Sequence, residues 1–186
     1  MKRITVLRGS CRKEGNTRIV TDAFLENFKK NNWKIDDFYL CEMNIDFFNP
    51  LNKYSKEDEF YKIEDSIFES DLIVFTTPMY WYSMSARLKN VFDRFNGIYV
   101  DGHIERLWGK SAVLLYTYSG NPYPEFIFPV KDTCEYLKMN YFGSFSVRGS
   151  FSIGVLSDDI EKTKDFSFKI ITDINKLNGK NNSNQK

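Results

Sequence analysis

The chain has 186 residues and a mass of 22.0 kDa, a length that suits one domain. Hydrophobic residues make up 42% and charged residues 27%, which is enough apolar material for a single core. A formal net charge of +1 provides no global field for nucleic acid or an anionic membrane, so neither is expected as a partner. The longest apolar runs fall well short of the about 18 residues that a membrane-spanning helix needs.

The opening MKRITVLRGS carries charge at its front, but its apolar stretch is short and stops at Gly9-Ser10, so it reads as a first strand over 3–8 rather than a signal peptide. Apolar positions then recur at helical spacing, at Ile19/Val20, Ala23/Phe24 and Phe28. A second strand is expected at 33–40. Residues 41–56 have no period and contain Asn49-Pro50-Leu51-Asn52, which reads as loop, and a helix follows at about 57–69 with Phe60, Ile63 and Ile67 on one face.

DLIVFTT at 71–77 is a continuous apolar run, as a central strand covered on both faces requires. The next helix carries Met84, Leu88, Val91, Phe92 and Phe95 as a core-facing stripe. SAVLLYTY at 111–118 is a further buried strand, ended by Ser119-Gly120-Asn121-Pro122, and a helix is expected at 125–139. Residues 144–153 alternate, with Phe145, Val147, Phe151 and Ile153 on one face, as in an edge strand. Asp158 and Glu161 have capping-box spacing before a last helix at about 159–177. Residues 1–178 are expected to form one domain and 179–186 a polar, disordered tail.

Strand and helix alternate five times, which predicts a parallel sheet with helices on both faces. In such sheets ligands bind beyond the carboxyl ends of the strands, where strand order reverses. Two loops there carry chemistry. The loop after the first strand, Gly9-Ser10-Cys11-Arg12-Lys13-Glu14-Gly15-Asn16-Thr17, combines small residues, hydroxyl and amide donors and two cations, and runs straight into a helix. That is a phosphate cradle, or else an ordinary turn capped by Asn16 or Thr17. It is neither a Walker loop nor the three-glycine dinucleotide fingerprint. A phosphatase loop is disfavoured too, because six residues rather than five separate Cys11 from Arg18. The loop after the third strand, Thr76 to Ser85, places four large side chains in a row, Met79-Tyr80-Trp81-Tyr82. Such a wall suits a flat conjugated ring, or a protein interface.

A phosphate at one loop and a ring at its neighbour describe a flavin mononucleotide. GSCRKEGNT and PMYWYSMSARLKNVFDR resemble the two signature segments of the NADPH-dependent FMN reductase family and the related iron–sulfur flavoproteins. The resemblance implies a flavodoxin-like three-layer α/β sandwich with a five-stranded parallel sheet of order 2-1-3-4-5. It further implies bound FMN, NADH or NADPH as co-substrate, and homodimers or homotetramers with the flavin near a subunit interface. By the same resemblance, Ser10, Arg12, Asn16 and Thr17 hold the phosphate. Pro78, Met79, Tyr80, Trp81 and Ser83 line the ring, and Tyr118, Ser119 and Gly120 close its other side. No residue is expected to be catalytic in its own right, because the flavin carries the chemistry.

The iron–sulfur relatives carry a cysteine cluster after the second strand, whereas LCEMNIDFFNPLN has only Cys41, so no cluster is expected. Three cysteines without paired spacing argue against disulfides and for a cytoplasmic setting, with Cys41 and Cys134 as structural thiols and Cys11 pointing near the ligand. His103, the only histidine, reads as a surface residue, and no metal site is expected. Lys89, Asp93 and Arg94 read as solvated charge or local ion pairs. The expected activity is electron transfer from NAD(P)H to a small acceptor such as a quinone, a nitro- or azo-aromatic, free flavin or a metal ion. The alternatives are a flavodoxin-type electron carrier and an interaction protein that has lost the ligand.

Overall fold

The computed structural model describes residues 1–149 and 154–183. Five strands, β1 (Arg3–Arg8), β2 (Lys34–Tyr39), β3 (Leu72–Pro78), β4 (Ser111–Tyr118) and β5 (Asn140–Arg148), form one parallel sheet of order β2-β1-β3-β4-β5. Helices α1 (Asn16–Lys30) and α5 (Ser157–Ser183) pack on one face. Helices α2 (Phe60–Glu69), α3 (Ala86–Val100) and α4 (Phe128–Tyr136) cover the other. The expected fold class and strand order are therefore present.

The alternation of side chains along each strand divides the core in two. On β3, Leu72 and Val74 meet Phe24, Phe28, Ile170 and Ile174 beneath α1 and α5, while Ile73 and Phe75 meet Ile63, Ile67, Leu88 and Val91 beneath α2 and α3. All seven residues of β3 are buried, which is why its sequence shows an unbroken apolar run rather than alternation. The edge strand β2 has no fully buried residue, and its sequence signal is correspondingly weak.

Several expectations shift. The helix expected at 125–139 is a 3-10 turn over Pro124–Ile127 followed by α4, because Pro129 can stand only in a first helical turn. The edge strand begins at Asn140, four residues early, and its expected end at 150–153, with Phe151 and Ile153, lies outside the described residues. At the start of α5 the reciprocal cap is made by Asp159, whose carboxylate accepts from the backbone N–H of Leu156, rather than by the Asp158–Glu161 pair. Helix α5 continues through Ser183, past the expected end at 177 and into the segment expected as a disordered tail.

The segment 41–59 contains no strand or helix, as expected for 41–56, with α2 starting three residues later than the expected 57, yet it is held by carboxylates that accept backbone N–H groups. Asp58 accepts from Asp46 (2.9 Å), Asp46 from Ser55 (2.6 Å) and Glu59 from Asn44 (2.9 Å). Arg94, expected as solvated charge or a local ion pair, is instead buried. It donates two bonds to Asp58 at 2.8 and 2.9 Å and a third to the Asp46 carbonyl, and it lies 3.5 Å from the centre of the Tyr54 ring. Lys89 and Asp93 do form the expected exposed pair. Because Asp58 is also buried, removing Arg94 strands a carboxylate. Arg94→Ala is expected to lower stability by about 3–5 kcal/mol, read as a shift of the urea unfolding midpoint.

Candidate functional site

The loop after β1 is positioned by a ladder of hydroxyls. Thr17, in the first turn of α1, bonds Thr117 near the end of β4 (2.6 Å). One turn on, Thr21 bonds Thr76 of β3 (2.7 Å) and the Thr17 carbonyl (2.7 Å). All four threonines are buried, so each hydroxyl needs these partners. Gly9 donates its N–H to the Thr76 carbonyl at 2.8 Å, and a Cβ there would stand 2.6 Å from Ser85 Oγ and 3.1 Å from that carbonyl. The loop therefore leaves the sheet tightly against β3 and enters α1 at Gly15. This N-cap has no side chain to offer, and the first turn of α1 contains no acidic residue. The positive end of the helix therefore meets no carboxylate from its own first turn, and its dipole favours an anion there.

Beneath the loop, Arg8 is buried and bonded through Nε and Nη2 to Asp37 (2.7 and 2.9 Å) and through Nη2 to Asp22 (2.6 Å). Burial pulls its pKa down, but the hydrogen bonds and charge of Asp37 and Asp22 outweigh it and raise it overall. Arg18 donates to the Lys13 carbonyl at 2.7 Å, drawing the loop back over α1.

At the other end, Tyr80 and Ser83 exchange backbone bonds, each 2.9 Å, around Trp81 and Tyr82. Both central residues have positive φ, +48° and +62°, the left-handed pair that a two-residue hairpin turn of type I′ demands. Asn-Gly normally fills such a turn, so two large aromatics there carry backbone strain. Trp81 is 95% exposed, while Tyr82 meets Tyr123 edge-on at 5.2 Å.

Between these ends lies a cleft of about 270 Å³, lined by Ser10, Arg12, Gly15, Asn16, Thr17, Pro78, Met79, Tyr80, Thr117, Tyr118, Ser119 and Gly149. It brings together nine of the twelve residues expected from the sequence. Trp81, Ser83 and Gly120 are exposed and do not line it. Gly15, Thr117 and Gly149 are additions. Gly15 was visible as the small residue before the helix, whereas Thr117 reads only as strand and Gly149 only as part of the alternating segment.

The cysteines differ from expectation. Cys11 and Cys41 are joined as a disulfide, their Cα atoms 5.3 Å apart. The reason is the pairing of β1 with β2. Their last register pair is Arg8 and Tyr39, so the two chains leave adjacent strand ends side by side. Helix α1 separates them by 30 residues in sequence, which hides the proximity. Cys134 is a buried thiol, and burial, with Glu135 nearby, pushes its pKa up to about 12. His103 is exposed. Among the described residues no group of three or more His, Cys, Asp or Glu side chains is placed to hold a metal ion, and no helix is long and apolar enough to cross a membrane.

The profile of a family described as NADPH-dependent FMN reductase matches residues 2–150. The chain belongs to that family. The sequence is similar to an iron-sulfur flavoprotein of Archaeoglobus fulgidus, 24% identical over 131 residues that span 67% of this chain and 58% of the relative. It is also similar to an FMN-dependent NADH:quinone oxidoreductase of Clostridium perfringens, 28% identical over 146 residues, 66% of this chain and 74% of the relative. The match thus spans little more than half the length of the first. A solved flavodoxin from the domain Archaea superimposes with a TM-score of 0.57 at 12% identity, covering 94% of this chain and 99% of that one, so the fold is flavodoxin-like.

Two consequences follow from the packing at the site. Gly9→Ala forces the loop away from β3 and is expected to destabilise the protein by about 1–3 kcal/mol, read by chemical denaturation. Replacing the strained pair, as Trp81→Asn with Tyr82→Gly, is expected to stabilise it by about 1–2 kcal/mol in the same measurement.

Proposed function

We propose that the chain binds FMN in this cleft as a single flavodoxin-like domain and acts as an NAD(P)H-dependent oxidoreductase. The observation that carries the reading is one continuous cleft with an anion-seeking helix start at one end and an aromatic loop at the other. The residues fit the group. Ser10, Arg12, Asn16 and Thr17 would hold its phosphate, with Gly15 admitting it to the backbone. The hydroxyl of Thr17 already bonds Thr117, so its contribution would be through the backbone N–H at the helix start. Pro78, Met79 and Tyr80 would face the ring on one side and Tyr118 and Ser119 on the other. Bound there, FMN supplies two-electron transfer between a nicotinamide and an acceptor.

The chain's own residues bind and orient. Arg12 is exposed at the cleft mouth, where its guanidinium would meet a dianion entering from solvent. The exposed Trp81 and Tyr82 stand beside the ring end and suit a flat acceptor such as a quinone, a nitro- or azo-aromatic, or free flavin. A cytoplasmic setting, where NAD(P)H is available, accords with this chemistry.

The protein is proposed to work as a homodimer or homotetramer. A groove of about 660 Å³ between α3 and α4, lined by Met84, Phe92, Phe95 and Leu137 with exposed Tyr99 and Tyr136, offers apolar surface to a second copy. Light scattering on the purified protein reads this directly.

Purified protein is expected to be yellow, or to become so on addition of FMN, and to bleach with NADH or NADPH under anaerobic conditions. Protein that takes up no FMN would overturn the reading, and a bound flavin that no nicotinamide bleaches would leave a one-electron carrier. Arg12→Ala and Asn16→Ala are each expected to weaken FMN binding by about tenfold, measured by quenching of flavin fluorescence.

A further inference from the structure

The Cys11–Cys41 bond lies at a position that no part of the electron-transfer reading uses. Cys11 sits between Ser10 and Arg12, the first two side chains of the cleft's anion end, and its own side is exposed. Cys41 follows Leu40, whose N–H still bonds the Arg8 carbonyl at 3.1 Å, so it is anchored to the end of the sheet. The bond therefore ties a loop without regular structure to a fixed point. A second tie joins the same two segments, the ion pair of Lys13 with Glu42 at 2.5 Å, but both partners are exposed and such pairs contribute little in water. Between Gly9, held against β3, and Gly15, at the start of α1, Arg18 bonds the Lys13 carbonyl from α1, and the disulfide is the covalent tie between the backbone that carries Ser10 and Arg12 and the end of β2.

We propose that Cys11–Cys41 is a reversible cystine/dithiol site whose substrate is a small or protein dithiol, and that its reduction loosens the loop and weakens FMN binding. The second half of this rests on the flavin reading above. The thiolate of the dithiol attacks the sulfur of Cys11, an exposed residue, the Cys11–Cys41 bond breaks, and Cys41 leaves as a thiolate that takes up a proton. The second thiol of the dithiol then displaces Cys11, which is protonated in turn. Two electrons and two protons pass to the protein, and the dithiol becomes a disulfide. In the oxidised state the loop is held before the phosphate arrives. In the reduced state its ordering is charged against binding, so affinity falls. In a compartment that supplies NAD(P)H, thiols are generally kept reduced, so a cystine there is a reversible device rather than a permanent staple.

The test uses the full chain, dithiothreitol as the dithiol, oxidised glutathione as the oxidant, and FMN as the probe. Alkylation followed by intact mass is expected to find no reactive thiol in the native oxidised protein and two after dithiothreitol. Cys134 is expected to react only on unfolding and serves as an internal count. The Kd for FMN is expected to rise roughly three- to tenfold on reduction and to return with oxidised glutathione. Cys41→Ser is expected to show the weaker value with or without dithiothreitol. Two reactive thiols in the native, air-exposed protein would overturn the proposal. Equal FMN affinities in the two states would overturn the coupling alone. No FMN binding in either state, with the cystine present by mass, would overturn the flavin reading and the coupling together.

Discussion

Everything at the cleft depends on how the start of α1 is pinned to the carboxyl ends of β3 and β4. Thr17 reaches Thr117, Thr21 reaches Thr76, and Gly9 bonds the Thr76 carbonyl. These are buried polar contacts, so each carries the cost of an unmet hydrogen bond if it slips. Apolar contacts could hold α1 against the sheet, but they would tolerate sliding and rotation. Directional bonds between three elements do not. They set the height of the helix start above the sheet edge, and with it the position of Ser10, Arg12 and Asn16.

The two ends of the cleft are held by different physics. At the α1 end, the helix start is stitched from below by the ladder and by the Arg8 network with Asp37 and Asp22, while the loop that carries Ser10 and Arg12 is tied to the end of β2 by Cys11–Cys41. At the β3 end, the loop is held by a tight turn whose central residues are in an unfavourable conformation. A strained turn of this kind presents Trp81 to solvent, where it contributes nothing to the core. Behind it, Arg94 and the carboxylates of the 41–59 segment brace the outer side of α3, the helix into which the turn leads.

Much of the site is legible in the sequence because its parts are local. A loop that runs from strand to helix within nine residues must lie at the helix start, and the resemblance to the family picks out Ser10, Arg12, Asn16 and Thr17 within it. Pro78, Met79 and Tyr80 follow a buried strand directly and must stand at the sheet edge. The inaccuracies arise where orientation matters. Trp81 and Ser83 belong to the same loop, but a left-handed turn points them away from the cleft. Arg94 resembles any helix-surface cation until Asp58, 36 residues away, is folded beneath it.

By itself, the sequence determines the alternation of strand and helix, the parallel sheet, both chemically rich loops and the family. Each of these is written in periodicity or in contiguous residues. Tertiary structure alone decides which side chains of those loops face one another, that Thr117 and Gly149 join the cleft, that 41–59 is ordered without regular elements, and that Cys11 meets Cys41. The physical reason is the crossover connection. A parallel pair of strands is joined only through a helix, so residues that touch at the sheet's carboxyl edge are separated in sequence by the length of that connection.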